Sequence, residues 1–329
     1  MSGKGKNAID MTGGSLWKNI LVFSLPLMMT QMLEVLFNLS DVAIAGKYAD
    51  YIALGAVGST ALLVSLFTGI LIGMGAGVNV RTAHQLGAEK TSGSSETVAR
   101  TVYSGLIVCL IIGIILCLVC NIFARPMLET LKTKDELIES AVLYLKIYAL
   151  GMPAMAVYNF GNGVLSACGE TKKPLVYLSI AGVLNVILNI FFVVVCKKAA
   201  DGVAIASVIA QYLSASMIMC HLLRRKDSCK LRLSNKYFDT SACGGVLMIG
   251  IPTGMQNAIF AVANLFVQTG VNHFDAVMVS GNSAAQNADT LIFNVMAAIY
   301  TACASFISRN HGEGKNDRIL KSYFISLFS

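Results

Sequence analysis

The chain has 329 residues, of which 55% are hydrophobic and only 13% are charged, and its formal net charge is +7. A soluble globular domain carries about 25% charged residues, so this composition excludes a water-soluble fold of this size. The lysines and arginines lie mainly between apolar runs, which favours membrane topology over a nucleic-acid partner as the reason for the positive charge.

Apolar runs long enough to cross a bilayer recur along the whole chain, since a spanning helix needs about 20 residues. The first run contains Glu34 and Asp41 and exceeds the apolar region of a signal peptide, which is about 7–15 residues long. We therefore interpret it as a retained span. The pattern predicts an all-α, polytopic membrane helical bundle with spans at 16–45, 52–80, 101–123, 138–165, 174–196, 203–223, 244–271 and 277–307, and a ninth helix beginning near Ile319.

The distribution of basic residues predicts the orientation of these spans. Alternate connecting segments, starting with the N-terminus, carry 18 Lys and Arg residues, whereas the opposite segments carry six. Positively charged loops stay in the cytoplasm. We therefore expect a cytoplasmic N-terminus in a bacterial-type plasma membrane.

Two stretches of the chain read as copies of one another, at roughly 15–95 and 241–320. Three residue pairs keep the same separation of 226 positions: Pro26 with Pro252, Asn38 with Asn264, and Gly55 with Gly281. Because one repeat holds an even number of spans, the copies should be two six-helix lobes related by an axis along the membrane normal, with about 450 residues in all.

This chain then reads as C-terminally truncated, with an incomplete second lobe. We divide it into a cytoplasmic tail (1–15), an N-terminal six-helix lobe (16–223), a basic linker (224–240), and a partial second lobe (241–329) with helices 7, 8 and the start of 9.

The first span carries a polar stripe that is unusual in a membrane helix. Glu34 and Asp41 are seven residues apart, and Gln31 and Asn38 share their helical face. An acid inside a membrane is costly and is a candidate functional residue. Asp41 is the main candidate, because a buried carboxylate can bind and release H⁺ or hold Na⁺; the alternative is a hydrated acid at the outer helix end.

Amides in the first lobe are candidate partners of Asp41, namely Asn159 in the fourth span and Asn185 and Asn189, one turn apart, in the fifth. Hydrogen bonding between helices explains them equally well. The remaining candidates, for a substrate cavity between the lobes, are Gln31, Glu34, Asn38, Gln256, Asn264 and Asp289.

Prolines inside spans are candidate hinges, because proline removes a backbone hydrogen bond and clashes with the preceding turn. Pro26 and Pro252 occupy the same position in the two repeats, and Pro153 should bend the fourth span. Simple packing against neighbouring helices is the alternative.

Motifs for other chemistry are missing from the sequence. There is no Walker-type nucleotide motif and no H-E-x-x-H metal motif, so we expect no cofactor, no metal and no enzymatic activity. These features favour an ion-driven exporter that acts as a monomer on small molecules. The alternatives are a flippase for a lipid-linked saccharide, which would need a cationic cavity, and, further off, a membrane-embedded enzyme or a channel.

The sequence resembles the multidrug and toxin extrusion (MATE) family of efflux transporters. The resemblance covers the whole chain and rests on the order and spacing of several short motifs: Phe23-Ser-Leu-Pro26, Asn38-Leu-Ser-Asp41 followed by Gly46, Gln85-Leu-Gly-Ala88, Tyr158-Asn159, Gly169-Glu-Thr-Lys172, Asn185 with Asn189, Gly202-Val-Ala-Ile-Ala206 with Gln211, and Arg309-Asn-His-Gly312.

The resemblance implies two six-helix lobes in a V that exchange cytoplasmic drugs, often cationic, for external H⁺ or Na⁺. Asp41 matches the coupling aspartate of the DNA-damage-inducible branch, and Asn159 and Asn185 match the amides around it. Asn189 stands where many members have a second aspartate, which leaves H⁺ and Na⁺ both open.

Overall fold

The computed structural model describes residues 8–271 and 276–328 of the chain. The described residues form α-helices joined by short connections, with no β-strand among them. The helices are α1 (Leu16–Tyr48), α2 (Tyr51–Ser92), α3 (Ser95–Thr130), α4 (Asp135–Ala149), α5 (Met152–Ala167), α6 (Lys172–Ile190), α7 (Ala200–Arg224), α8 (Thr240–Val271), α9 (Ala276–Gly312) and α10 (Asn316–Leu327).

The predicted all-α membrane bundle is confirmed. Among the described residues seven helices are long and apolar enough to cross a bilayer, and α4 with α5 adds an eighth if they form one bent span. The predicted span 138–165 is therefore broken, with a bend of 44° between its two helices. Pro153 lies in the first turn of α5, where its missing N–H costs no helical hydrogen bond, so it begins a new helix there.

Helix α2 is longer than the sequence predicted, because it continues beyond residue 80 to Ser92. At about 1.5 Å per residue its 42 residues extend about 63 Å, twice the thickness of a bilayer core. Gly93 ends it in the left-handed conformation, with a φ of 72° that glycine adopts without strain. The extra turns carry α2 to the end of the bundle where α1 begins and α7 and α9 end. We call this the basic end.

Helices α8 and α9 pack against the first lobe around α2. Contacts of α2 with α8 and of α1 with α9 are extensive, and α2 also packs on α9. Under the predicted repeat, α8 and α9 correspond to α1 and α2. A twofold axis would then convert the contact of α2 with α8 into the contact of α9 with α1, and would map the contact of α2 with α9 onto itself. The approach of α2 to α8 depends on small residues, since a Cβ on Gly73 would lie 2.3 Å from the backbone nitrogen of Gly254.

A short N-terminal strap, residues 9–14, crosses the basic end and contacts both lobes. On the first lobe, the Ile9 N–H donates to the Gly169 carbonyl at 3.1 Å. On the other side, the Asn310 amide donates to the Met11 carbonyl at 3.1 Å, and Lys315 Nζ donates to the Thr12 carbonyl at 3.0 Å. The strap therefore holds the two sides of the basic end together.

Met11 anchors the strap, because its side chain is only 4% exposed within an apolar cluster that includes Ile20, Phe23 and Phe306. We expect Met11→Asp to destabilise the protein by about 2–5 kcal/mol, since it places an unpaired charge in this cluster. Thermal unfolding in detergent measures the effect. Met11→Leu keeps the volume and should cost less than about 1.5 kcal/mol; equal melting temperatures for Met11→Asp and wild type would contradict a packed strap.

The linker after α7 is held to the first lobe by a buried ion pair. Arg225 donates to Glu170 at 3.2 Å, and Lys173 lies 2.7 Å from the same carboxylate. Burial alone would raise the pKa of Glu170, but the Lys173 hydrogen bond and the Arg225 charge hold that pKa below its ordinary value. Cys168, just after α5, and Cys229, in the linker, also lie next to one another.

Candidate functional site

Asp41 is one of four side chains that form a closed ring of hydrogen bonds inside the first lobe. Asn189 Nδ2 donates to Asp41 Oδ1 at 2.5 Å, and Ser207 Oγ donates to Asp41 Oδ2 at 3.0 Å. Asn185 closes the ring, accepting from Asn189 at 3.2 Å and donating to Ser207 Oγ at 3.2 Å. All four side chains are buried, with Asp41 7% exposed and Asn189 completely covered.

Three helices position this ring, and their sequences explain why. On α6, Asn185 and Asn189 are four residues apart and therefore share one face of the helix. Helix α1 brings Asp41 to that face and α7 brings Ser207. Asp41 is therefore not a hydrated acid at the outer end of α1, because protein encloses its side chain.

The chemistry of the ring suits a small cation. Burial disfavours a carboxylate charge, whereas two donated hydrogen bonds favour it. The carboxylate, the amide oxygens of Asn185 and Asn189 and the Ser207 hydroxyl are oxygen ligands of the kind that hard cations take. The buried Asn189 Oδ1 has no hydrogen-bond partner in the described part of the chain, so it is free to serve a bound ion.

Asn159 lies outside this ring, contrary to its predicted grouping with Asp41. Its amide donates to the Met155 carbonyl at 3.0 Å, and its side chain lines a separate cavity of about 70 Å³ between α1, α2, α5 and α9. Glu34 and Gln31 line the same cavity. The structure thus separates the acids of the polar stripe: Asp41 faces α6 and α7, and Glu34 faces the gap between the lobes.

Other predicted cavity residues are not brought together. Asn38 is exposed, as are Gln256 and Asn264 on α8 and Asp289 on α9. In their place the second lobe contributes Thr301 to the cavity wall. Helical spacing places Asn38 on the same face of α1 as Glu34 and Asp41. That face is about 100° wide, so residues at its two edges meet different neighbouring helices, and Asn38 does not reach the cavity.

Sequence reasoning missed two functional candidates. Ser207 carried no signal, because a serine in an apolar helix is common. Asn79 did carry one: its side chain exchanges hydrogen bonds with Ser305 at 2.8 and 3.1 Å, and the two residues are 226 positions apart. That separation equals the predicted repeat, so Asn79 and Ser305 occupy equivalent places on α2 and α9 and meet where the twofold axis should pass.

The two candidate hinge prolines differ in their surroundings. Pro26 is buried inside α1, and the Thr30 hydroxyl donates to its carbonyl at 2.8 Å. Pro252 is inside α8 but exposed. A hinge role for either stays a prediction.

The ring depends on a tight fit between α1 and α6. A Cβ on Gly182 would lie 1.6 Å from Phe37 Cζ, so the Phe37 ring fills the notch that this glycine leaves. Phe37 precedes Asp41 by one turn, and Gly182 precedes Asn185 by nearly one turn. The fit therefore sets the separation of Asp41 from its amides.

We expect Gly182→Ala to force the Phe37 ring out of the notch, at a cost of about 1–3 kcal/mol, and to weaken cation binding at Asp41 by about tenfold or more. The dependence of thermal stability on added H⁺ or Na⁺ measures this. Gly58→Ala is the control, because nothing lies within 4 Å of that position. Phe37→Ala in the Gly182→Ala background should restore much of the lost cation binding. If Gly182→Ala leaves cation binding unchanged and the double variant restores nothing, the fit of Phe37 against Gly182 does not position Asp41.

Among the described residues, no three His, Cys, Asp or Glu side chains come together in a group that could hold a metal ion.

Comparison with known proteins supports one family. The MatE family model matches residues 26–191 and 252–328. The probable multidrug resistance protein YpnP of Bacillus subtilis is 27% identical over 95% of this chain and 69% of its own length. The probable multidrug resistance protein NorM of Thermotoga maritima is 23% identical over 92% of this chain, which spans only 65% of that relative.

The fold also matches solved structures. A MOP superfamily transporter from Pyrococcus furiosus superposes with a TM-score of 0.88 over 98% of this chain and 71% of its own, at 20% identity. A likeness at this identity shows the fold alone.

Proposed function

Because the chain belongs to the MatE family of membrane transporters, whose members are not enzymes, we propose that it is a secondary active antiporter. It exports drug-like, cationic or amphipathic small molecules in exchange for H⁺ or Na⁺. The observation that carries this proposal is the Asp41 ring: a buried acid that accepts hydrogen bonds from Asn189 and Ser207, with Asn185 bonded to both of these residues.

The size of the cavity between the lobes supports alternating access. Drug-binding pockets enclose about 300–1,000 Å³, whereas the cavity at Glu34 holds about 70 Å³. At the basic end α2 and α9 are in contact and the strap lies across them. A drug-sized molecule does not fit this space as it stands, so we propose that the lobes separate to admit it by bending at Pro26 and Pro252.

In this mechanism the cation and the substrate occupy the first lobe alternately. An ion arriving from outside at Asp41 shifts α1 against α6, and this favours release of the substrate. The substrate path runs past Gln31 and Glu34 in the closed cavity, and past Asn38, Gln256, Asn264 and Asp289 once the lobes part. Assignment to the DNA-damage-inducible branch stays part of this proposal.

The proposed location is the plasma membrane, with the basic end in the cytoplasm because its segments carry most of the Lys and Arg residues. A reducing cytoplasm keeps most cysteines as thiols. The Arg225–Glu170 ion pair holds the linker there whether or not Cys168 and Cys229 are joined. We propose a monomer as the working unit.

The polarity of the cavity separates this proposal from a saccharide flippase of the same superfamily. A lipid-linked sugar carries phosphate, and a site for it would need cationic side chains. The cavity lining holds Glu34 and several amides and hydroxyls, and no Lys, Arg or His among the described residues.

Transport by purified protein in liposomes tests the proposal. Ethidium accumulation should follow an imposed H⁺ or Na⁺ gradient, reverse when that gradient is reversed, and stop when an ionophore dissipates it. Equilibration to equal concentrations, whatever the gradient, would show a channel instead, and movement of a phosphate-bearing lipid without ethidium transport would show a flippase.

A further inference from the structure

The cavity at Glu34 is a second polar compartment, distinct from the Asp41 ring. None of the four ring residues lines it. Its walls come from α1, α2 and α5 of the first lobe and from Thr301 of α9. Two acids of one helix, two turns apart, are thereby placed in separate environments.

The lining of this cavity offers several acceptor oxygens. Glu34 is half-buried and lines the cavity, and Asn162 Oδ1 is buried with no hydrogen-bond partner among the described residues. The hydroxyls of Thr30 and Thr301 donate to the carbonyls of their own helices, which leaves their lone pairs as further acceptors. The Glu34 carboxylate, Asn162 Oδ1 and the two hydroxyl oxygens thus line one small cavity.

A carboxylate in a membrane protein needs a partner of opposite charge or a proton. The structure assigns that partner: we propose that the cavity binds one inorganic monovalent cation, with Na⁺ as the fitting ion. One carboxylate matches one positive charge, whereas protein sites for divalent cations usually combine several charged ligands. A cavity of about 70 Å³ has room for a small hydrated ion.

Occupancy of this site also has a conformational consequence. Glu34 and Asn162 belong to the first lobe and Thr301 to the second, so a cation that contacts all three binds best when the lobes are together. The ion therefore stabilises the closed arrangement seen here. It is also in the path that the proposed function gives to the substrate, so a substrate entering between separated lobes replaces it. The site itself does not depend on drug transport being correct.

Equilibrium binding of radioactive Na⁺ to the purified chain tests the proposal. The Asp41→Asn background removes the ring carboxylate, so the coupling ion used there does not affect the result. We expect one Na⁺ per chain in Asp41→Asn, none in Asp41→Asn with Glu34→Gln, and one in Asp41→Asn with Glu136→Gln, where Glu136 is an exposed acid at the start of α4. N-methylglucamine replaces Na⁺ at constant ionic strength in the blanks.

A second variant covers the chance that Glu34→Gln does not fold. Thr301→Val keeps the side-chain shape and removes one oxygen from the second-lobe wall; it should weaken Na⁺ binding about three- to tenfold. No Na⁺ bound to Asp41→Asn, or equal binding with and without Glu34, overturns the site. Binding of methylammonium but not Na⁺ would assign the cavity to the ammonium group of a substrate, and this also overturns an inorganic ion. Drug transport is measured separately, so its failure would leave the Na⁺ count intact.

Discussion

Asp41→Asn is expected to abolish gradient-driven accumulation of substrate while leaving the protein folded. The amide has the same shape as the carboxylate and stays within the ring of Asn185, Asn189 and Ser207. It carries no charge at any pH, so binding of H⁺ or Na⁺ can no longer change the electrostatic state of the lobe. A pH difference of one unit is worth 1.36 kcal/mol per proton, or about tenfold in concentration. The variant loses this factor, and the accumulation ratio falls to about one.

The measurement is ethidium accumulation in liposomes with a fixed gradient, together with ethidium binding to the detergent-purified protein. Binding should survive in Asp41→Asn, because the cavity lining is untouched. Asp50→Asn is a matched control, since that residue is an exposed N-cap whose side chain accepts from the Ala53 N–H, and asparagine caps as well as aspartate. Normal accumulation by Asp41→Asn would remove this acid from coupling.

The spans were predictable because a bilayer sets a length and a polarity that a sequence displays directly. Helix α3 illustrates this: its aliphatic run gave a span at 101–123 without reference to any partner. The break between α4 and α5 was visible only as Pro153, whose position predicts a bend but not its angle. Helix α2 ran beyond its predicted end because residues 81–92 are polar yet still helical, and apolar length says nothing about polar helix that leaves the membrane.

The site was predictable in part. Asp41, Asn185 and Asn189 are rare polar residues at helical spacing in apolar spans. Because an unpaired polar group inside a membrane raises the free energy of the folded protein, the sequence already predicts that they pair with one another. Which amide faces which helix depends on the rotation of α5 against α6, and spacing within one helix cannot give that rotation; this is why Asn159 lies beside Glu34. Asn79 and Ser305 show a further signal, because polar residues one repeat apart meet where equivalent helices cross a twofold axis.

Gly312→Ala is expected to prevent closure of the basic end. A Cβ at this position would lie 2.0 Å from the carbonyl oxygen of His84, and a Cβ on Gly87, across the same contact, would lie 2.2 Å from the carbonyl oxygen of Arg309. Both clashes are with backbone, so no rotamer change relieves them and α2 and α9 must move apart. The main apolar core lies almost entirely within the first lobe, so the change should act on the separation of α2 and α9 rather than on the folding of that lobe.

Transport requires both arrangements, so a chain that cannot close should lose export by at least about tenfold, because a shift of about 1.4 kcal/mol already changes the closed population by that factor. Double electron–electron resonance between labels at residues 92 and 316, with native cysteines replaced, should show a longer distance in Gly312→Ala. Gly244→Ala is the control: it lies near the start of α8, and nothing comes within 4 Å of its added Cβ. An unchanged distance together with normal export would mean that the lobes tolerate a methyl group at their narrowest contact, and the closed basic end would then have no part in the transport cycle.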